Sequence, residues 1–182
     1  DGTYTVVVKV TDDDGGFGTA TTVVTIRDLA PKAGFTSSPN PQNEGFPVQF
    51  TDTSKSFPDN LVTWSWSFGD GATNATQNPI HTYVEVGSYL ATLTVTDDDG
   101  STNTYTATIT ILNVPPTASA TNDSPRQEGA AVTVTVSQTD PGELDTFTYS
   151  FDWNNDGIYE IVDQASPVAS YIWLQAGIYT VR

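Results

Sequence analysis

Apolar and polar residues alternate with a period of two over short windows of this chain. One face of the first window carries Tyr4, Val6, Val8 and Val10, and one face of the next carries Ala20, Thr22, Val24 and Ile26. A period of two places successive side chains on opposite faces of a strand, and turn residues at spacings of about 8 to 12 are typical of β-sandwiches. The pattern therefore predicts an all-β fold with almost no helix.

One phrase of the sequence occurs twice in full and begins a third time. It reads Gly-x-Tyr, an alternating apolar run and then Thr-Asp-Asp-Asp-Gly, and its copies start at Gly2, Gly87 and Gly177. The starts lie about 85 and 90 residues apart, which is far longer than a solenoid repeat and close to one small β-sandwich. The acidic turn of each full copy should join two strands into a hairpin. The repeats predict an extended array of independently folded sandwiches.

Proline-containing segments at residues 28–31 and 113–116 mark two boundaries. Proline ends strand pairing and stiffens the passage from one unit to the next. We therefore expect residues 1–28 to be the closing hairpin of a preceding or partner-completed unit. Residues 29–114 should form a complete unit, and residues 115–182 a divergent unit that lacks its last hairpin.

The expected strands follow the same order in both later units. The opening strands are predicted at 33–37 and 117–121, and the second strands at 48–52 and 132–137. The third strands carry large apolar side chains, mostly aromatic, on one face. These are Val62, Trp64, Trp66 and Phe68 in one unit and Phe147, Tyr149, Phe151 and Trp153 in the other. Each ring can bury about 150–250 Å², so these residues are the predicted core.

The residues around the first aromatic strand resemble a known family. Residues 64–71 read Trp-Ser-Trp-Ser-Phe-Gly-Asp-Gly, and residues 78–83 read Asn-Pro-Ile-His-Thr-Tyr. Together with the phrase at Gly87, they resemble the polycystic kidney disease (PKD) domain, an immunoglobulin-like β-sandwich. The resemblance covers the whole chain. The last unit diverges, because residues 151–157 replace the aromatic motif and residues 167–171 lack the histidine.

The resemblance implies a structural role outside the cell. PKD domains are found mostly in surface-layer, adhesive and polysaccharide-degrading proteins, where they are spacers and interaction modules rather than catalysts. We expect a non-catalytic, extracellular or cell-surface segment that acts as a spacer, adhesin or fibril subunit. The alternative is a carbohydrate- or protein-binding accessory region of a secreted hydrolase. An exposed aromatic row would favour that alternative, and Tyr159, Tyr171 and Trp173 are its candidates, although Tyr171 and Trp173 share a strand face and are better read as core.

Charge and composition exclude several partners and reactions. The chain has 6 basic and 22 acidic side chains and a net charge of −16, so nucleic acids and anionic membranes would be repelled. It contains no cysteine, and no stretch approaches the roughly 20 apolar residues of a membrane helix. His81 is the only histidine, and we expect it to be hydrogen-bonded near the turn at residues 69–71. The sequence therefore predicts no catalytic site.

Calcium is the one cofactor that the sequence suggests. Residues 152–157 fit Asp-x-Asn-x-Asp-Gly, the first half of an EF-hand-type loop. The ligands would come from Asp152, Asn154, Asp156, Glu160 and Asp163. Alternate positions of a tight loop can wrap a hard ion with oxygen atoms. The other interpretation is a β-turn without metal, because such turns also favour Asn, Asp and Gly.

Two further surface features have open interpretations. The Asp-Asp-Asp-Gly turns are either solvated hairpin turns or sites where an ion is shared with a neighbouring linker. Asn74 and Asn122 each begin a glycosylation sequon, and Pro125 weakens the second. Glycans are therefore possible partners of the protein if it is secreted by a glycosylating cell.

The two ends of the chain hold complementary parts of one repeat. Either the sequence is a window of a longer tandem polypeptide, which we favour, or the leading hairpin of one copy completes the last unit of the next by strand addition. Strand addition would join copies head to tail and generate a filament. In both cases the expected partners are neighbouring repeats or neighbouring copies.

Overall fold

The computed structural model describes residues 2–182, and within that range all regular secondary structure is β. In chain order the strands are β1 (Gly2–Thr11), β2 (Phe17–Ile26), β3 (Phe35–Ser38), β4 (Gln42–Asn43), β5 (Pro47–Asp52), β6 (Leu61–Ser67), β7 (Thr73–Asn74), β8 (Ile80–Thr82), β9 (Gly87–Asp97), β10 (Thr102–Leu112), β11 (Thr117–Asn122), β12 (Ala131–Thr139), β13 (Tyr149–Phe151), β14 (Ile161–Gln164) and β15 (Val168–Ile172). The predicted all-β class is confirmed.

The chain divides into two compact units. The first comprises the chain up to Gln42 together with Pro47–His81 and Ser88–Thr110. The second comprises Asn43–Phe46, Thr82–Gly87 and Ile111–Arg182. The short segments at 43–46 and 82–87 therefore belong with the C-terminal part of the chain. The sequence boundaries expected near residues 28 and 114 stay a prediction.

The first unit opens with the predicted hairpin. Strands β1 and β2 pair antiparallel from Gly2 opposite Ile26 to Thr11 opposite Phe17. The Asp12 N–H donates to the Gly16 carbonyl at 2.9 Å, which closes the acidic turn. Gly15 has a φ of 88°, a left-handed conformation that suits glycine. Apart from Gly2, every residue of the two strands is exposed, so the apolar alternation of this hairpin has no core beneath it.

Two sheets follow in the complete repeat. One has the strand order β3-β5-β8, and the other has the order β4-β10-β9-β6-β7. From Ala91 to the end of β9 the side chains alternate between buried and half-buried, with Ala91, Leu93 and Val95 fully buried. This alternation is the one that a strand with one face in a core requires.

The core of the first unit is a cluster of aromatic rings. Trp66 is only 1% exposed, and its ring centroid lies 5.0 Å from that of Phe35 and 5.5 Å from that of Phe50. Phe68 stacks beside Trp66 at 6.3 Å and lies 5.1 Å from Phe50. Trp66 Nε1 donates to the carbonyl of Thr76 at 2.9 Å, so the buried indole keeps its hydrogen bond.

The predicted aromatic face of β6 is buried only in its second half. Trp66 and Phe68 are in the core, but Trp64 is half-buried and Val62 is 51% exposed. The pairing of β6 with β9 shifts register between Leu61 and Thr63, which ends the regular inward alternation. Trp64 Nε1 donates to Asp52 Oδ2 at 2.7 Å. Trp64 is therefore a partly buried ring whose indole N–H is satisfied by a carboxylate.

The second unit has its own, smaller core. Its sheets have the orders β11-β12-β15 and β13-β14. Val134, Phe151, Trp153 and Ala169 are buried together, with Tyr149 and Trp173 packed against them. Of the four predicted rings on the third strand, Phe151 and Trp153 are fully buried, whereas Phe147 and Tyr149 are half-buried. Within residues 2–182, no helix of the length and apolarity needed to cross a membrane is present.

The packing around Trp66 predicts a large effect of its truncation. We expect Trp66→Ala to lower the free energy of unfolding by about 3–5 kcal/mol, because it removes a buried ring and leaves a cavity. Phe57→Ala is the matched control, because Phe57 is 83% exposed and its loss should cost less than about 0.5 kcal/mol. Urea unfolding followed by tryptophan fluorescence measures both. Equal effects of the two variants would contradict the core described above.

Candidate functional site

The predicted calcium loop follows strand β13 and is held together by one carboxylate. Asp152 is fully buried between Phe151 and Trp153. Its Oδ2 accepts the Gly157 N–H at 2.8 Å, and its Oδ1 accepts the Asp156 N–H at 3.3 Å. The Asp152 backbone also exchanges hydrogen bonds with Arg182, at 2.9 and 3.0 Å. The side chain therefore caps a turn as well as filling the first position of the motif.

The other predicted ligands divide into those near Asp152 and one away from it. Asn154 and Asp156 form successive turns, in which their side-chain oxygens accept the backbone N–H two residues later, at 3.0 and 2.8 Å. Glu160 Oε2 accepts the Trp153 N–H at 2.8 Å, so it folds back onto the loop. Asp163 instead lies at strand β14, where Thr148 donates to it at 3.5 Å. Four of the five residues share the loop, and Asp163 does not join them.

The hydrogen bonds of the loop affect the acidity of Asp152. Burial raises its pKa, but the backbone N–H groups that it accepts, chiefly from Gly157, outweigh burial and leave the pKa below its usual value. The loop thus stabilises a negative charge with its own backbone. These bonds agree with the metal-free turn interpretation, and calcium binding at this loop stays a prediction.

The second acidic turn does not expose its three aspartates equally. Asp97 is 1% exposed, and its Oδ1 accepts the Ser101 N–H at 2.8 Å. Asp98 is exposed and accepts the Asn60 N–H at 3.0 Å, and this hydrogen bond holds its pKa below the usual value. A fully solvated turn is therefore not what residues 97–99 form, because the first carboxylate is enclosed.

Asp99 lies in a group with a linker residue, as the second interpretation of these turns expected. Oxygen atoms of Asp28, Asp59 and Asp99 all lie within 4.8 Å of one another. The Ser101 hydroxyl donates to Asp28 Oδ2, while Asp28 Oδ1 is enclosed without a partner. Burial and then the charges of Asp99 and Asp28 raise the pKa of Asp59. Sequence reasoning connected the turn with the linker but missed Asp59, which lies in the loop before β6.

A third acidic group was not anticipated from the sequence. Glu44, Asp140 and Asp145, all in the second unit, also bring carboxylate oxygens within 4.8 Å of one another. Glu44 lies between β4 and β5, and its position in the sequence indicates no chemical role. Only its complete burial, at 0% exposure, distinguishes it from the corresponding Glu128, which is exposed.

His81 has the structural role that the sequence predicted. Its Nε2 lies 2.6 Å from Asp70 Oδ2, and its ring stacks on Phe68 with centroids 4.1 Å apart. Burial raises the pKa of Asp70, but hydrogen bonds from Ala72 and His81 leave it below its usual value. The only histidine is thus engaged in holding the turn at residues 69–71.

The two sequons lie at strand ends rather than inside loops. Asn74 ends β7, and its Oδ1 accepts both the N–H and the hydroxyl of Thr76 at 2.8 Å. Asn122 ends β11 and accepts the N–H of Ser124 at 3.0 Å. Asn122 is exposed and Asn74 is half-buried. Glycan attachment at either residue stays a prediction.

The candidate aromatic row is partly built into the core of the second unit. Trp173 packs against that core, with its centroid 5.9 Å from Trp153 and 4.8 Å from Tyr171. Tyr171 and Tyr159 are each 41% exposed. Trp173 and Tyr179 also line a groove of about 410 Å³ in this unit. The rings of Tyr171, Trp173 and Tyr179 therefore form a contiguous but half-covered aromatic surface.

The hydrogen bonds of Asp152 predict a pH dependence of stability. Because its folded pKa is lowered, its contribution is complete above the unfolded value near 3.9 and is lost as the pH falls through the folded pKa. We expect Asp152→Asn to lower the urea midpoint at pH 7 and the difference from the unmodified chain to shrink below about pH 4. Asp13→Asn, which makes the same charge change in the exposed hairpin turn, should have little effect. A pH-independent difference would contradict this role of Asp152.

Comparison with known proteins gives consistent matches. The family model of the PKD domain matches residues 29–111 and 113–182. Pre-pro-metalloprotease PrtV of Vibrio cholerae is 39% identical over 99 residues, which are 53% of this chain and 10% of that protein. Collagenase ColQ1 of Bacillus cereus is 33% identical over 107 residues, which are 57% of this chain and 11% of that protein. The chain therefore spans about a tenth of the length of these curated relatives.

A solved structure gives a similar match over one repeat. The crystal structure of the PKD1 domain from the Vibrio cholerae metalloprotease PrtV is 38% identical and covers 46% of this chain and 98% of that domain, with a TM-score of 0.42. The family model, in contrast, extends over two consecutive segments that together include most of the sequence. On that match, this chain belongs to the PKD domain family.

Proposed function

We propose that this chain is a non-catalytic accessory segment of a larger extracellular hydrolase. The observation that carries the proposal is the pair of PKD segments, since similar segments occupy about a tenth of a metalloprotease and of a collagenase. In such a protein the reaction belongs to another domain, and the PKD repeats space that domain or present it to its substrate.

The engagement of the reactive side chains supports a non-catalytic role. The single histidine is hydrogen-bonded to Asp70 and stacked on Phe68, and the sequence contains no cysteine. Many of its carboxylates accept backbone N–H groups in turns, as Asp152 does from Gly157. These interactions stabilise the fold and leave little chemistry for a covalent or acid–base reaction.

The aromatic surface of the second unit supports binding to an insoluble substrate. Tyr171, Trp173 and Tyr179 present adjoining rings, and Trp173 borders a groove that also contains polar side chains. Aromatic faces pack against sugar rings and against apolar side chains of proteins. The proposed ligands are therefore a polysaccharide or a fibrous protein, bound while the catalytic domain acts nearby.

A second candidate function is a structural one, as a spacer, adhesin or fibril segment. It is favoured by the hairpin of β1 and β2, in which Tyr4, Val6, Val8 and Val10 are all exposed. Such an apolar face would be covered by an adjacent repeat or by a neighbouring copy, either of which could also pair with a strand edge. The proposed location, outside the cell or on its surface, is the same for both functions.

The size and activity of the native protein distinguish the two functions. An antibody against this chain should detect, in the extracellular fraction of its source, a protein much larger than 19.5 kDa that copurifies with hydrolase activity. The purified chain alone should bind collagen, cellulose or chitin in a pull-down without degrading any of them. Tyr171→Ala should weaken this binding, with the exposed Phe57→Ala as control. A native band near 19.5 kDa that forms filaments in negative stain would favour the structural function instead.

A further inference from the structure

Glu44 is a buried carboxylate with one unsatisfied oxygen. The side chain is 0% exposed, and its Oε1 accepts the Val114 N–H at 2.7 Å. Its Oε2 is enclosed and has no hydrogen-bond partner. A buried charge without a full set of partners is strongly unfavourable, so such a group is either neutralised or bound to a cation.

The Glu44 carboxylate lies beside two other acids. Asp140 and Asp145 each bring a carboxylate oxygen to within 4.8 Å of one oxygen of Glu44 and of each other. Asp140 Oδ1 accepts the Gly142 N–H at 2.8 Å, while its Oδ2 is enclosed and without a partner. Two carboxylates from different segments of the chain, each with one enclosed and unpartnered oxygen, are therefore grouped at one place.

The backbone segments that carry Glu44 and the two aspartates pack closely against each other. Gly45 has a φ of 73°, and a Cβ on it would lie 2.7 Å from Pro141 Cβ, so the turn at Glu44 can approach the 140–145 loop only with glycine there. The Leu144 N–H donates to Glu85 Oε1 at 2.6 Å, which places a fourth carboxylate beside the group. The acids are held together by packing and backbone hydrogen bonds rather than by attraction between their charges.

The charges around Glu44, Asp140 and Asp145 favour the binding of a positive ion. Burial raises the pKa of Asp145, and the charges of Asp140, Glu44 and Glu85 raise it further. All of these neighbours are acidic. A bound cation would reverse this effect, because it favours the charged form of every carboxylate around it.

We propose that Glu44, Asp140 and Asp145 form a Ca²⁺ site within the second unit. The donors are all oxygen atoms, which suit hard cations. Ca²⁺ takes about six to eight oxygen ligands, whereas Mg²⁺ usually keeps several waters and binds through one or two carboxylates. The three carboxylates grouped here therefore favour Ca²⁺. Water would supply the remaining ligands.

The site ties together two distant segments of the sequence. Glu44 comes from the turn after β4, and the two aspartates come from the loop after β12. Calcium would hold the 43–46 turn against the 140–145 loop and replace repulsion with coordination. The site is separate from the loop at residues 152–163, and it does not depend on the proposed accessory function.

Thermal unfolding of the full chain tests the proposal. The midpoint is compared in a chelator and in millimolar CaCl₂, for the unmodified chain and for Glu44→Gln, Asp145→Asn, Glu128→Gln and Asp156→Asn. Glu128 is the matched control because it precedes the equivalent glycine of the next repeat but is exposed. Asp156→Asn removes a charge from the other candidate loop. Isothermal titration with CaCl₂ and MgCl₂ gives the affinity of each variant.

The proposal expects calcium to raise the midpoint of the unmodified chain by several degrees. Glu44→Gln and Asp145→Asn should each weaken calcium binding at least about tenfold and abolish most of this rise. In the chelator, Glu44→Gln should be as stable as the unmodified chain or more stable, because it removes repulsion and keeps an oxygen for Val114. A purely structural Glu44 would instead make the variant less stable in both conditions, with the calcium effect intact.

Several outcomes would overturn the assignment. One is the absence of any calcium effect on the unmodified chain. Another is a calcium effect that survives in both Glu44→Gln and Asp145→Asn, or that is lost equally in Glu128→Gln. Loss of the effect in Asp156→Asn alone would transfer the binding to the loop at residues 152–157. Equal or tighter binding of Mg²⁺ would reject calcium as the ion.

Discussion

The structure depends above all on the burial of Trp66 among other rings. Phe35 of β3, Phe50 of β5 and Phe68, which follows β6, surround it, so the cluster joins the two sheets of the complete repeat. Burial of large aromatic surface is the main favourable term available to a chain without disulfides. The Trp66–Thr76 hydrogen bond preserves this gain, since an unpaired indole N–H would offset part of it.

Acidic side chains close several turns of the chain. With 22 acids and 6 bases, most carboxylates cannot find a basic partner, and many accept backbone N–H groups instead. Asp152 closes the loop after β13, Asp97 closes the β9–β10 turn and Asp70 orients His81. Charge-assisted bonds of this kind stabilise turns, but they also leave some acids crowded together. The carboxylates around Glu44 and around Asp28 are the result.

These features agree with the non-catalytic accessory role that we propose. The aromatic core provides a stable unit, the acidic turns give a strongly negative surface, and the only histidine is part of the packing. Repeats of the PKD family occur in larger proteins that include proteases, and the chain covers only about a tenth of those relatives. The proposed role in spacing or substrate attachment requires a stably folded unit with an exposed surface. In the proposed site, calcium bound to Glu44, Asp140 and Asp145 would add rigidity where these acids converge.

The sequence by itself determined the main strands, the hairpin turns, the family and the turn beside which His81 lies, because each depends on neighbouring residues or on one short motif. Period two placed Trp66 and Phe68 on one strand face, and Asp-Asp-Asp-Gly identified two turns. Tertiary structure decided the rest. The register shift in β6 exposed Val62, and the approach of residues about one hundred positions apart enclosed Glu44 with Asp140. A local sequence pattern indicates to which face of a strand a side chain points. Its burial and the charges around it depend on which residues the folded chain places opposite that face.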